Sequence, residues 1–414
     1  MVILRKFLNE LNVNDKSVIY LIYFLPIALL AGSLVINITI LLISGLFLYE
    51  IISKKKLDIF KNTYAVLLFV IFVYIFLNSI FIAKNFDSVI RAVGFLRFII
   101  LTYAIAYYLN IQNNKYQKKI LLFWTAVFLI VTFDLIFEFI FGFNTLNFKS
   151  DYGGRLAGFT GDELKIGGYY FGFVLLSLSI FYEKKNIFVL LLIIFLITSY
   201  LIGERSNFIK VFLILNLLYF LFFKYNIYKK ILSSLIPFLV IFLVTFFYTN
   251  QWGQKTIKIR FYDNIFNPIL QNDINTFLST SRHISHYNSA IEIFNDNKIF
   301  GVGIKNFRNE SYHRQINLGH KYQASTHPHQ IHFELLSELG ALGYILMMFF
   351  LIYSIINGFR AFKTKNDPAI IASVLFVLAT ILPILPSGSF FTTYGATIFW
   401  INFSFIVKNY MTTR

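Results

Sequence analysis

The 414 residues are 57% hydrophobic and 14% charged, with a mean hydropathy of +0.67 and a formal charge of +17. A soluble domain carries about 25% charge, so this chain lacks the polar groups to cover a globular surface and reads as an all-α polytopic membrane protein. It has no Cys, which excludes disulfides, thiolate nucleophiles and Cys-based metal sites.

A membrane span needs about 20 mostly apolar residues. In chain order the candidate runs are about 17–33, 35–52, 62–82, 92–109, 119–141, 166–182, 187–202, 206–223, 231–249, 334–358, 369–386 and 390–407, about twelve in all. All are expected to be helical, because an open strand in lipid leaves backbone groups unpaired. Pro26, Pro237, Pro383 and Pro386 lie inside or near span ends and are expected to kink them. Residues 1–16 are mixed polar and apolar with no small-residue cleavage site, so no removable signal peptide is expected. The organisation expected is a nine-helix bundle over 1–249, a large polar loop over 250–331, and three further helices over 332–414. No internal repeat is visible.

Orientation follows from Lys and Arg in the short loops. One set of loops carries Arg5, Lys6, Lys16, Lys54, Lys55, Lys56, Lys61, Lys115, Lys118, Lys119, Lys184, Lys185, Lys224, Lys229, Lys230, Arg360, Lys363, Lys365, Lys408 and Arg414. These loops are expected in the cytoplasm with both termini. Much of the positive charge is therefore a topology signal, and the partner it implies is the bilayer rather than nucleic acid. The opposite, outer side receives 142–165, the turn 203–206, the loop 250–331 and the turn 387–393. Within the loop, 281–294 and 304–315 are expected as surface helices.

The outward segments hold four charged motifs. Gly153 to Tyr169 places glycines around Arg155 and leads through Asp162 and Glu163 into a span. A Gly-rich turn opening a helix holds anions, with Arg155 as the charged partner; a flexible turn with an Arg reaching the interface is the plainer reading. Glu204-Arg205 sits between two spans, where charge is costly unless paired or wet; pairing between the two would be unusual, since adjacent helical residues face apart. Ser279 to His283 carries Arg282 ahead of a helix, followed by Gly301-Val302-Gly303, which is too short for a nucleotide loop. The last motif is Thr326-His327-Pro328-His329-Gln330-Ile331-His332-Phe333-Glu334, and every His of the chain lies between 283 and 332.

His327, His329 and His332 raise the question of a metal, but Pro328 interrupts their spacing and no Asp-x-Asp is present, so neither metal nor cofactor is expected. A neutral imidazole acting as general base fits better; a His cluster capping the next helix is the plain alternative. Arginine forks suit phosphate oxygens. Arginines, an imidazole and a membrane edge together suit a lipid-linked diphosphate that leaves while an acceptor hydroxyl attacks. Arg97, Asp134, Glu138 and Lys210 lie in or near spans and would suit a transporter or flippase instead. Asp134 and Glu138, four apart, share a helix face, and buried pairing with Arg97 or Lys210 is their plain reading.

These motifs resemble the O-antigen ligase and polymerase superfamily over about residues 150–360. Thr326 to Gln330 followed by Leu335-Leu336-Ser337-Glu338-Leu339-Gly340-Ala341-Leu342-Gly343 is similar to its signature, in which a His-Asn pair precedes Glu-x-Gly-x-x-Gly. Arg282 to Phe307 resembles its upstream half; Gly154–Tyr169 and Gly203–Asn207 resemble its other Arg-bearing turns. Gln330 stands where Asn is usual, Lys298 where Pro is frequent, and Tyr287 where Trp is frequent. The resemblance implies an inverting, metal-independent glycosyltransferase of the bacterial inner membrane, with its active site on the periplasmic side. The donor would be a glycan on undecaprenyl diphosphate. The acceptor would be lipid A-core for a ligase, the leading expectation, or a second lipid-linked glycan for a polymerase. Carried over, His329 and Arg282 are catalytic, Arg155, Arg205 and Arg282 bind the diphosphate, and His327, His332, Glu334, Asp162, Glu163 and Glu338 are secondary candidates.

Overall fold

A computed structural model describes residues 13–111, 115–150, 154–163, 165–222, 228, 282–318 and 324–411. Every regular element among them is helical: α1 Val13–Leu30, α2 Ser33–Ser53, α3 Thr63–Asn78 with a π turn Ser79–Ala83, α4 Phe86–Asn110, α5 Lys115–Phe141, α6 Ile166–Ser179, α7 Lys185–Leu201, α8 Arg205–Phe222, α9 Arg282–Asp296, α10 Phe307–Leu318, α11 Ile331–Lys365, α12 Pro368–Thr380 and α13 Thr393–Val407, with short 3-10 turns between. Six helical stretches are long and apolar enough to cross a membrane: Ser33–Ser53, Thr63–Ala83, Phe86–Asn110, Tyr116–Phe141, Arg205–Phe222 and Ile331–Lys365. The expected span 231–249 with its Pro237, and residues 250–281 of the expected loop 250–331, lie outside the described residues.

Several expected spans are shorter as helices. α6 has 14 residues and α12 has 13, about 20 Å each. Pro383 and Pro386 do not kink α12. It ends at Thr380, and they lie in the turn beyond, where Ile384 has φ 71. Pro26 does lie inside α1. The run expected from 390 begins its helix at 393, because the backbone N–H of Phe390 is taken by Glu334.

The short helices are the central ones. From Tyr394 to Val407 only Gly395 of α13 is less than buried, and all of α6 but Gly168 is buried. Helices apolar all round belong inside a bundle. α13 packs on α4, α12 and α6, and α6 also on α5, α8 and α12. Gly172 admits Ile398, whose Cγ2 would lie 2.4 Å from an added Cβ. Asn402 Nδ2 donates to Gly172 O at 2.9 Å, the small-residue and polar contacts that hold helices together in lipid. Leu34, Leu41, Val66, Phe69 and Ile90 on α2 to α4 are exposed apolar side chains suited to acyl chains.

α11 breaks at Gly340, whose φ of 68 and ψ of −174 leave its neighbours without helical partners. Residues 298–303 run into the break. Val302 N donates to Ser337 O at 3.0 Å, Gly303 N to Glu338 O at 2.7 Å, and Ala341 N to Lys298 O at 2.8 Å. An added Cβ on Gly301 or Gly340 would meet the opposing backbone within 2.6 Å. The glycines of the loop and of the helix thus serve one close backbone crossing, which Tyr74, Asn78 and Ser88 brace through hydrogen bonds to Leu339 O, Phe300 O and Ile304 O. The expected helix 304–315 starts later, at Phe307, because Lys305 takes φ 61 to turn the chain out of this crossing; the expected 281–294 is observed as Arg282–Asp296.

Candidate functional site

One end of the bundle gathers two Arg-bearing turns, α9 and the His-bearing turn before α11. The two Arg turns touch through glycine: an added Cβ on Gly203, at φ 78, would lie 2.0 Å from Gly154 O, and Leu156 N donates to Ile202 O at 3.2 Å. This contact brings Arg155 beside the 203–205 turn. Arg155 Nη1 lies 4.0 Å from Glu204 Oε1, and Asn207 Nδ2 donates to Glu204 Oε2. Glu204 therefore pairs across the two turns. Its carboxylate sits where a side chain on Gly167 would fall, 2.2 Å from an added Cβ.

α9 carries His283 and His286 against the last motif. The His283 and His329 rings are 5.6 Å apart between centroids, His286 and His329 5.1 Å, and His327 and His329 4.0 Å. Arg205 and Arg155 both act on the His283 ring. The order across the site is thus Arg155 and Arg205, then His283, then His329, then His327. Arg282 opens α9 one residue before His283; its side chain, like that of Asp162, lies outside the described part.

The imidazoles are held neutral. Burial, and then the neighbouring imidazoles of His286 and His283, push His329 down to about 4. Burial, then His329 and Lys305, push His327 down to about 3. His283 moves the same way, from burial first and then from His286, Arg205 and Arg155. His327 Nδ1 meets Thr326 Oγ1 at 3.0 Å, while its Nε2, and Nδ1 of His283, are buried without a partner among the described residues. His329 adopts φ 60, uncommon for a residue with a Cβ, and its carbonyl accepts from Ser387 N at 2.7 Å. Among the described residues no three His, Asp or Glu side chains are placed to hold a metal ion.

The remaining candidates fall elsewhere. His332 is a tie within the bundle: in the neutral ring Nε2 donates to Ile381 O at 2.9 Å and Nδ1 accepts from Tyr344 OH at 3.0 Å. Glu163 is exposed and pairs with Lys165 at 2.5 Å. Glu334 is buried and accepts from Ser389 Oγ and from Phe390 N, with Lys305 Nζ 3.9 Å away. Glu338 lies fully buried one turn further along α11. Gln330 caps α11, its Oε1 accepting from His332 N at 2.7 Å and Phe333 N at 3.1 Å. Tyr287 stacks on Phe333 with centroids 4.7 Å apart.

Among the described residues, the charges of the spans do not form the buried ion pairs expected for them. Asp134 accepts from Thr145 N and Oγ1, and Glu138 from Ala157 N and Gly158 N at 2.7 Å each. They tie the 142–158 segment, and so Arg155, to α5. Lys210 donates to Pro386 O at 3.3 Å.

Three participants escape the motif reading: His283 and His286, which their i, i+3 spacing puts on one face of α9, and Lys305, which follows the Gly-x-Gly and reaches Ser389 Oγ. Beside Thr326, whose hydroxyl meets His327, Arg308, Asn309, Tyr312, His313 and Ser325 line an open cleft of ≈ 420 Å³.

Residues 188–348 match a family model described as O-antigen ligase. The matched stretch contains Arg205, α9, the His-bearing turn and the broken start of α11, and excludes Arg155, which the structure nevertheless seats beside it. No curated protein matches the chain.

Proposed function

We propose that this chain is a membrane glycosyltransferase of ligase or polymerase type that moves a glycan from undecaprenyl diphosphate to an acceptor hydroxyl; the match of residues 188–348 to the O-antigen ligase family model and the helices long and apolar enough to cross a membrane support this reading. Ligation to lipid A-core is the leading reaction, and joining of lipid-linked repeats is the second. The observation that carries this reading is the placing of His329 between the arginine turns and the open cleft. The donor's diphosphate lies toward Arg155, Arg205 and Arg282, and the acceptor approaches from the cleft.

The acceptor oxygen attacks the anomeric carbon as the bond from that carbon to the diphosphate oxygen breaks. Attack in line with the leaving group inverts the centre. The electron pair leaves with undecaprenyl diphosphate, where guanidinium groups meet the growing negative charge. The hydroxyl proton passes to His329, whose neutral ring is ready for it at pH 7. No step in this scheme calls on a metal ion. The reading places the site on the periplasmic face of the inner membrane, where assembled lipid-linked glycans are presented.

The test is transfer by purified His329→Ala and Arg282→Ala proteins at unchanged membrane abundance. Each is expected to lose about 10²–10⁴-fold in rate, and full activity in either would remove its assigned role. A deletion strain separates the two reactions: loss of a ligase leaves long chains on the carrier lipid, and loss of a polymerase leaves lipid A-core with at most one repeat. Net movement of the lipid-linked glycan across proteoliposomes with no glycosidic bond formed would favour a flippase and overturn both.

A further inference from the structure

Arg97 is the charged side chain that the proposed chemistry leaves unused. It lies in α4, five residues past the start of the apolar run at 92, about 8 Å along the helix. A guanidinium at such a depth is expensive unless something negative meets it. Among the described residues no carboxylate forms an ion pair with it. The charge that acts on it is Arg91, which is also positive. Its Nη2 donates to Thr393 Oγ1 at 3.1 Å, and its Nε is buried without a partner. An added Cβ on Gly94 would approach Nη1 to 3.1 Å, so glycine makes room for the head beside the helix.

This cation sits on the side of the candidate site. Thr393 opens α13 directly after the turn whose Ser387 N–H donates to His329 O. The next residue, Tyr394, donates to Lys165 O at 3.3 Å and feels the charge of Glu204, the partner of Arg155. Lys165 Nζ stands over the Tyr394 ring at 5.4 Å and reaches Ser33 Oγ at the head of α2. A line of polar groups thus runs from Arg97 within the lipid, through Thr393 and Tyr394, to Glu204 and Arg155.

We propose that Arg97 is a membrane-embedded phosphate contact by which a lipid-linked diphosphate reaches the site sideways from the bilayer. This rests on the function proposed above for the identity of the lipid. The chemistry on its own asks for a lipid carrying a phosphate oxygen, which either undecaprenyl diphosphate or a phospholipid headgroup supplies.

Native mass spectrometry of the detergent-purified full chain tests it, with undecaprenyl diphosphate and phosphatidylglycerol as separate probes for wild type, Arg97→Gln and Arg97→Lys. Retention of undecaprenyl diphosphate is expected to fall about tenfold in Arg97→Gln and to recover in part in Arg97→Lys, while phosphatidylglycerol retention stays unchanged. In a transfer assay Arg97→Gln is expected to raise the donor KM at near-normal kcat. Equal loss of both lipids would make Arg97 a structural phospholipid contact and overturn the proposal. Unchanged retention in Arg97→Gln would overturn it too, as would a fall in melting temperature shared by both variants with no difference in lipid retention. A wild-type chain that binds the diphosphate lipid through Arg97 but transfers no glycan would sink the proposed function and leave this contact standing.

Discussion

His329 combines two unusual conditions, a left-handed backbone and a ring pressed among other imidazoles. Its proton affinity is low because burial, and then the adjacent His286 and His283 rings, oppose the charged form. The acid limb of kcat/KM is therefore expected near pH 4, with activity flat between pH 6 and 8. A profile of rate against pH checks this, and half-loss at pH 6.5 or above would contradict it. His332 shows what a motif cannot say. It stands three residues from His329 in the same run, yet both its ring nitrogens are spent inside the bundle. His332→Ala is expected to cost about 1–3 kcal/mol in stability, while folded protein keeps most of its rate; thermal melting and specific activity separate the two effects. Residue type and spacing singled out Arg155, Arg205 and His329, which the fold brings to one end of the bundle. They did not single out His286 or Lys305, whose placement depends on which chain segments meet.

At the scale of elements, glycines decide how closely the turns approach. An alanine at Gly203 would meet the rigid carbonyl of Gly154, at a positive φ as well; an alanine at Gly167 would meet only the movable end of Glu204. Gly203→Ala is expected to lower the melting temperature clearly. Gly167→Ala is expected to fold normally but lose transfer rate as Glu204 shifts away from Arg155. Melting curves beside rate measurements distinguish them. The departure Gln330 has a physical account: an amide side chain caps α11, the task that Asn performs well at such a position. Gln330→Asn should be tolerated, and Gln330→Ala should lose about 1 kcal/mol of stability. Most helix existence was readable from apolar runs, whereas boundaries moved wherever a backbone group was claimed by a distant residue. Phe390 N on Glu334 and the crossing at Gly340 are cases that no local pattern reveals.

For the whole molecule, composition was enough to point to a helical membrane protein, and among the described residues six helical stretches meet the length and hydropathy that crossing requires. The short central helices were harder to read because their neighbours, and not lipid, surround them. Orientation can be tested directly, since the chain has no Cys of its own. Gly388 has nothing within 4 Å of an added Cβ. Gly388→Cys is expected to react with a membrane-impermeant thiol reagent in spheroplasts, and Lys56→Cys only after permeabilisation; the reverse pattern would invert the topology. Acid stability follows with its sign fixed. His327 and His329 take up protons near 3 and 4 when folded, and at about 6.5 when unfolded. As pH falls from 6.5 toward 4 the unfolded chain gains protons that the folded chain does not, so stability declines over that window.

The middle of the bundle is filled by α13, which emerges from the ribosome after every other described helix. Until it arrives, the earlier helices surround an unfilled centre, and the turn that carries Ser387 and Ser389 has no anchor beyond it. Assembly of the imidazole pile therefore waits on translation of nearly the whole described chain. A nascent protein stalled before this helix would sit in the membrane with its imidazoles and arginine turns still apart.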